Sequence, residues 1–272
     1  MSLLWTKDKL WFNEARAEQI GQVLREGFHI TQDGQLKPVS QGAAYDIPWV
    51  FIGDNLPHHC HIWNEMYFRK FGLIPRWCRT KCHKVVVSVP NVARLMDLHE
   101  LMNFMHTKYG LNGKCGMDVR TYTWGFWRGF FYNTSMEKGL ECLEIVRSVI
   151  SENLGPAISV ILKKGCTEYE RTSMGGIPSN EWGEPTPEQA DLEDHLDNLY
   201  YQGEEQFRQP PWLRQKIMLN WWLRAYSFGD TSLWEFLDRD WFESLISAVR
   251  SVTYEPQPEP VPDSGEEGGD PK

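Results

Sequence analysis

The centre of the chain alternates between short β-branched or aromatic runs and longer amphipathic patterns. Lys84 to Pro90 is a β-branched run, and Pro90 ends it. Asn91 to Tyr109 carries apolar residues at helical spacing. Lys114 to Thr123 and Phe126 to Asn133 are two further strand-like runs, rich in aromatic and β-branched residues. The pattern therefore predicts a strand, a helix and then a hairpin.

A second helix and a last strand follow the predicted hairpin. Ser135 is a favourable N-cap for a helix that continues to Asn153, and Ala157 to Gly165 reads as a strand. The order is then strand, helix, strand, strand, helix, strand. This order predicts an α+β fold with a ferredoxin-like, split βαβ core.

The segments on either side of this core differ from it in composition. Asn13 to Glu26 is predicted to be a helix, and Phe28 to Val39 a hairpin around Asp33-Gly34. Tryptophan stripes after Pro210 are typical of a packing face. We expect four regions: an N-terminal helix and hairpin (1–57), a cysteine-containing ferredoxin-like core (58–170), an acidic, Trp-rich helical region (171–250) and a disordered acidic tail (251–272).

Length and composition limit the class of protein. The chain has 272 residues, 41% of them hydrophobic, which is enough for a sizeable core. No apolar run approaches the roughly 20 residues of a membrane span, and no secretory signal follows Met1. We therefore expect a cytoplasmic protein, in which the 6 cysteines are more suited to metal binding or burial than to disulfides.

The net charge of −9 conceals an uneven distribution along the chain. From His58 to Cys166 there are 15 Lys and Arg against 8 Asp and Glu, whereas from Thr167 onward there are 8 against 22. A basic centre in an acidic protein predicts either an anionic partner or an acidic segment that covers the centre.

Four cysteines form the predicted metal site. In a split βαβ sheet, the first two strands begin at the same end, and the fourth strand finishes there. This topology predicts a zinc site of Cys60, Cys78, Cys82 and Cys115, with Cys166 nearby. An iron–sulfur cluster is the alternative cofactor. The other interpretation is that these residues are buried free thiols.

One face of the sheet is predicted to bind nucleic acid. The two helices cover one face, and strand alternation places polar and aromatic residues together on the other. Aromatic rings interleaved with arginine suit base stacking and phosphate contact, which favours a single-stranded ligand. The predicted interface is Arg120, Tyr122, Arg128, Phe130 and Tyr132. The alternative is that an N-terminal or Trp-rich C-terminal segment packs on this face.

A short motif on the third predicted strand resembles a known signature. Arg128-Gly129-Phe130-Phe131-Tyr132 resembles the start of the RNA-recognition-motif signature, from which it departs at Phe131, where a small residue is typical. The resemblance covers about five residues. It implies that strand aromatics at these positions contact bases.

The sequence is compatible with three functions. The first is a non-enzymatic, metal-stapled module that binds nucleic acid. The second is a protein-interaction or nucleic-acid-mimic module that acts through the acidic C-terminal half. The third is a divalent-metal-dependent nuclease: His59-Cys60-His61 resembles the metal motif of nicking endonucleases, and Asp118, Glu168 and Glu170 are possible strand carboxylates.

Overall fold

The structure is a computed structural model that describes residues 28–30, 36–38, 48–53, 68, 73–120, 125–172, 179–200 and 209–250. The predicted helix from Asn13 to Glu26 and the predicted acidic tail lie outside these residues. No helix in the described ranges is both long enough and apolar enough to cross a lipid bilayer.

Seven strands and seven α-helices are described. The strands are β1 (Phe28–Ile30), β2 (Leu36–Pro38), β3 (Trp49–Ile52), β4 (His83–Val89), β5 (Gly113–Met117), β6 (Trp127–Asn133) and β7 (Ser159–Lys164). The helices are α1 (Arg76–Thr80), α2 (Val92–Tyr109), α3 (Met136–Asn153), α4 (Thr167–Thr172), α5 (Pro187–Tyr200), α6 (Pro211–Ser227) and α7 (Arg239–Arg250). Two 3-10 turns cover Ser179–Glu181 and Thr231–Glu235.

The central sheet has five strands in the order β3-β5-β6-β4-β7, and every neighbouring pair is antiparallel. The predicted mixed α+β class is therefore confirmed. The predicted N-terminal hairpin is also present, since β1 and β2 pair antiparallel in a separate two-stranded sheet.

Local sequence signals explain where the two long helices begin. The Asn91 side chain accepts a hydrogen bond from the Arg94 amide at the start of α2, and Ser135 accepts one from Lys138 at the start of α3. Helix α2 ends at Gly110, whose φ of 68° is the left-handed conformation that glycine adopts easily. These boundaries agree with the capping residues in the sequence.

Helices α2 and α3 cover one face of the sheet. On that face Gly129 leaves room for α2, because a Cβ at this position would lie 2.9 Å from Met102 Sδ and 3.0 Å from Leu98 Cδ2. Val85 and Phe131 lie in the same core. Neighbours of opposite parity, such as Lys84 and Arg128, belong to the other face.

The C-terminal helices enlarge this core. Trp221 and Trp222 of α6 are fully buried, and Trp221 Nε1 donates a hydrogen bond to the Pro48 carbonyl at 2.9 Å. The tryptophan stripe is thus a packing face, as its pattern predicts. Leu233 lies in a separate 3-10 turn that Asp230 caps, and α7 begins after it at Arg239.

Strand β3 is at the edge of the sheet, and Gln209 covers part of that edge. The Gln209 side chain accepts from the Phe51 amide and donates to the Trp49 carbonyl, both at 2.8 Å. These two bonds satisfy backbone groups that an edge strand leaves unpaired. The N-terminal segment is thereby joined to the start of α6.

Candidate nucleic-acid interface and cysteine cluster

Three cysteines meet where β4 begins and β7 ends. Cys78 lies on α1, Cys82 precedes β4 and Cys166 follows β7; we call these residues the cysteine cluster. The Gly165 amide donates to the Cys82 carbonyl at 2.8 Å, which holds the ends of the two strands together. Cys166 is partly buried and packs against a second, smaller core that contains Cys78. Cys78 and Cys82 are each 2% exposed, and both are free thiols.

A buried lysine accompanies the cluster. Lys84 is 6% exposed, and its Nζ donates to Cys166 Sγ at 2.8 Å. Hydrogen bonds from Cys78 and Cys82, with the nearby ammonium, lower the pKa of Cys166 well below its ordinary value. The hydrogen bond with Cys166 raises the pKa of Cys78 and raises that of Cys82 to about 12. These hydrogen bonds therefore favour ionisation of Cys166 over ionisation of Cys78 or Cys82.

The predicted four-cysteine site needs a correction at Cys115. Cys115 pairs with Gly129, which in turn pairs with Val87, so it lies about 17 Å along the strands and about 10 Å across them from Cys82. It is fully buried in the core on the helix side of the sheet. The prediction assumed that Cys115 lies at the rim, whereas β5 begins at Gly113, opposite Phe131.

Of the two remaining cysteines, one lies within the described residues and the other lies outside them. Cys142 is buried on α3 in the main core. Cys60, with the His59-Cys60-His61 motif, lies outside the described residues. Within the described ranges, no group of three or more His, Cys, Asp and Glu side chains is already arranged to hold a metal ion.

At the opposite end of the sheet, a buried carboxylate holds two arginines. Asp118 is 2% exposed and accepts from Arg120 Nε at 2.7 Å and Nη2 at 2.6 Å, while Arg128 Nη1 lies 3.7 Å away. Burial acts to raise the pKa of Asp118, but the hydrogen bonds and charge of Arg120 outweigh it and the net pKa is lowered. The carboxylate is thus an ionised anchor for Arg120.

Exposed aromatic rings lie beside this anchor. The Asp118 amide donates to the Phe126 carbonyl at 2.6 Å, so the two ends of the β5–β6 loop are adjacent. The Phe126 ring stacks on Phe228 with centroids 5.4 Å apart and planes 24° apart, although the two residues are 51% and 54% exposed. We call Val119, Arg120, Phe126 and Phe228 the hairpin corner.

The predicted interface is only partly at the surface. Phe130 is 7% exposed and packs edge-on against Trp49, so the expectation that it lies on an exposed surface is wrong. The ammonium of Lys114 lies over the Trp49 and Phe130 rings, at 4.4 Å and 5.7 Å from their centroids. The prediction left out Trp49, whose strand β3 pairs with β5.

The rest of the predicted interface varies in accessibility. Arg120 is one-third exposed, whereas the Arg128 side chain is mostly buried. Tyr132 is half-buried, with the Lys84 ammonium 5.5 Å from its ring centroid. Tyr122 lies outside the described residues. Sequence reasoning missed Phe228, which adjoins the interface only because α6 ends beside the β5–β6 loop.

Acidic side chains neutralise part of the basic centre. Both carboxylate oxygens of Glu193 on α5 accept from the Arg76 amide, and the Arg76 side chain pairs with Asp194. Lys163 on β7 pairs with Glu170. One end of the basic region therefore faces acidic groups of the same chain. This agrees with one of the two alternatives that the charge distribution predicts, an acidic segment that covers the basic centre.

Comparison with known proteins gives a partial match. The DNA polymerase catalytic subunits of equine herpesvirus 1, strains Ab4p and V592, are each 27% identical to this chain over 163 residues. The match covers 56% of this chain but only 13% of each polymerase. No family model matches the chain. No solved structure matches it either.

Proposed function

We propose that this protein is a non-enzymatic module that binds single-stranded nucleic acid, and that the hairpin corner is the contact surface. The observation that carries the proposal is the position of Arg120, whose guanidinium is held by buried Asp118 beside two stacked and exposed phenylalanines. This is a different surface from the sheet face that the sequence pattern indicates.

The chemistry of the hairpin corner suits an unpaired nucleotide. Exposed rings such as Phe126 and Phe228 offer a flat apolar surface on which a base can stack, at about 1–3 kcal/mol per base. Arg120 supplies a positively charged guanidinium, whose orientation is fixed by two hydrogen bonds that it donates to Asp118. Stacking makes little distinction between bases, so we expect weak sequence preference and clear preference for single strands.

Two further observations support a nucleic-acid ligand. The segment from His58 to Cys166 is basic although the whole chain is acidic. The chain also shares 27% identity with herpesvirus DNA polymerase catalytic subunits over 163 residues. The match is to a small part of those proteins, so we transfer only the class of ligand.

The ferredoxin-like architecture is part of the same proposal. Without β3, the sheet order is β5-β6-β4-β7. In chain order, these are the second, third, first and fourth strands of a split βαβ unit, with α2 and α3 as its two crossovers. We interpret β3 as an added edge strand.

The test is a titration of fluorescein-labelled oligothymidylate with the full chain, followed by fluorescence anisotropy. We expect Phe126→Ala to weaken binding by about 5-fold to 100-fold, the equivalent of one lost stacking contact. Trp212→Ala is the matched control, because Trp212 is also exposed and lies on α6 about 24 Å from Phe228. We expect the control to bind like the wild type.

Two results would overturn the proposal. One is wild-type binding that does not weaken between about 50 and about 200 mM salt, since phosphate contacts must release counterions. The other is an equal loss of affinity in Phe126→Ala and Trp212→Ala, because the hairpin corner would then have no special role.

A second candidate function is interaction with a basic protein. Helix α5 presents Glu188, Asp191 and Asp194 to solvent, while Glu193 on the same helix is buried against α1. A partner that binds this acidic surface should lose affinity on Asp191→Lys. Under the nucleic-acid proposal, the same substitution should leave oligothymidylate binding unchanged or slightly stronger.

A further inference from the structure

The three residues of the cysteine cluster come from separate segments of the chain and meet at one place. Cys78 lies on α1, and the chain turns at Lys81, whose amide donates to the Trp77 carbonyl at 2.8 Å, so that Cys82 comes back within hydrogen-bonding reach of Cys78. Cys166 follows β7, packs against the small core that contains Cys78 and hydrogen-bonds with the Cys78 side chain. The Gly165 amide and the Cys82 carbonyl fix this meeting point through a 2.8 Å hydrogen bond.

The charge at this site is also unusual for a hydrophobic core. Lys84 is buried, and its ammonium donates to the Cys166 sulfur. A buried charge is costly unless other charges and hydrogen bonds compensate it. Three thiolates around a divalent ion carry one excess negative charge, and the Lys84 ammonium balances that charge. Metal-bound sulfurs commonly receive such hydrogen bonds from outside the ligand set.

We infer that Cys78, Cys82 and Cys166 bind a thiophilic divalent cation, for which zinc is the best match. Soft sulfur ligands select zinc over magnesium or calcium. On binding, the cluster thiols release their protons to solvent and their sulfurs turn from hydrogen bonding with one another to the ion. Cys115 has no part in the site.

The ion would have a structural role. It would tie α1 and the start of β4 to the segment that follows β7, three parts of the chain that meet at one end of the sheet. Lys84 is a positioning residue, since it holds Cys166 without being a ligand. This inference does not depend on the nucleic-acid proposal, because the hairpin corner lies at the other end of the sheet.

The test is anaerobic titration of the reduced full chain with Co²⁺, followed by displacement with Zn²⁺. Cobalt bound to thiolates absorbs in the near ultraviolet, so the spectrum reports sulfur ligation directly. We expect a thiolate band that saturates at one Co²⁺ per chain and disappears when Zn²⁺ is added. In Cys166→Ser, the band should weaken and the Co²⁺ affinity should fall at least about 10-fold.

Two matched controls separate ligation from general loss of a buried thiol. Cys115→Ser and Cys142→Ser alter buried cysteines elsewhere in the core, and we expect both to keep the wild-type band. Lys84→Gln leaves all three sulfurs in place, and we expect its Co²⁺ affinity to fall about 10-fold to 100-fold. Circular dichroism of each variant shows whether it is folded.

The inference is overturned if the wild type gives no thiolate band. It is also overturned if Cys166→Ser binds Co²⁺ with the same spectrum and affinity as the wild type. If Cys166→Ser does not fold, Lys84→Gln decides: an affinity equal to that of the wild type contradicts the inference. Loss of oligothymidylate binding with an intact cobalt band would count only against the nucleic-acid proposal.

Discussion

Each end of the sheet contains a buried charged group, and the two groups are paired in different ways. At the cysteine cluster, the buried Lys84 ammonium donates to the sulfur of the partly buried Cys166. At the hairpin corner, the buried group is the Asp118 carboxylate, and its partner Arg120 reaches the surface. We propose that the first arrangement binds a small ion and that the second presents a positively charged side chain of fixed orientation to a ligand.

This difference follows from what surrounds each end. The cluster is enclosed by a second core that includes Phe68, Tyr169 and Trp182. Around the hairpin corner, Val119, Phe126 and Phe228 remain exposed. Exposed apolar side chains that adjoin one another are a common mark of an interaction surface.

Asp118→Asn is expected to break the hairpin corner most severely. The substitution keeps the size of the side chain but removes the negative charge that Arg120 and Arg128 face, which should cost about 3–5 kcal/mol of unfolding free energy. Urea denaturation measures this cost. Glu243→Gln is the control, because it removes an exposed ion pair with Arg239 and should cost less than about 1 kcal/mol. Equal costs would contradict our description of Asp118.

The same carboxylate should make stability depend on pH. The pKa of Asp118 is lowered in the folded chain, so its stabilising contribution is present above the unfolded pKa of about 3.9 and is lost as the pH falls through the lower folded pKa. The difference in unfolding free energy between the wild type and Asp118→Asn should therefore shrink below about pH 4. A difference that stays constant down to about pH 2 would show that Asp118 is not an ionised anchor.

Gly129→Ala tests whether binding at the two ends of the sheet is independent of packing in the middle of the sheet. The new methyl group would meet Met102 and Leu98 of α2, and overpacking of this kind costs about 1–3 kcal/mol. Gly183→Ala is the control, since nothing lies within 4 Å of an added Cβ there. We expect thermal denaturation to show the loss only for Gly129→Ala, with Co²⁺ and oligothymidylate binding unchanged in the folded protein.

Arg120→Lys should have the smallest effect. Lysine keeps the positive charge but cannot make the two parallel hydrogen bonds to Asp118, so we expect oligothymidylate affinity to fall only a few-fold and the salt dependence to stay the same. Arg120→Gln should in contrast reduce the salt slope by about 0.7. Identical salt slopes for Arg120→Gln and the wild type would exclude a phosphate contact at this residue.

Local signals in the sequence were sufficient for most of the elements. Asn91, Gly110 and Ser135 mark helix ends through their own side chains or backbone conformation, so the helices could be predicted from nearby residues alone. The end of β5 at Met117 could not be predicted in this way. The Asp118 side chain accepts a hydrogen bond from Arg120 just after the strand, and nothing in the local sequence favours this contact over a longer strand.

The candidate sites depended on contacts between distant segments. Cys82 and Cys115 were grouped by the direction of their strands, but strand alternation places Cys115 with Met117 on the helix side. The alternation pattern by itself therefore argues against a site that contains both Cys82 and Cys115. Phe228 could not be assigned to the hairpin corner from the sequence, because its position depends on how α6 packs beside α2.

Photocrosslinking tests the proposed contact surface most directly. Single-stranded DNA that carries bromouracil would be irradiated in complex with the full chain, and the crosslinked residues identified by mass spectrometry. We predict crosslinks at Phe126 or Phe228, and their loss in the double variant Phe126→Ala, Phe228→Ala. Crosslinks confined to α5 or to the cysteine cluster would contradict the account.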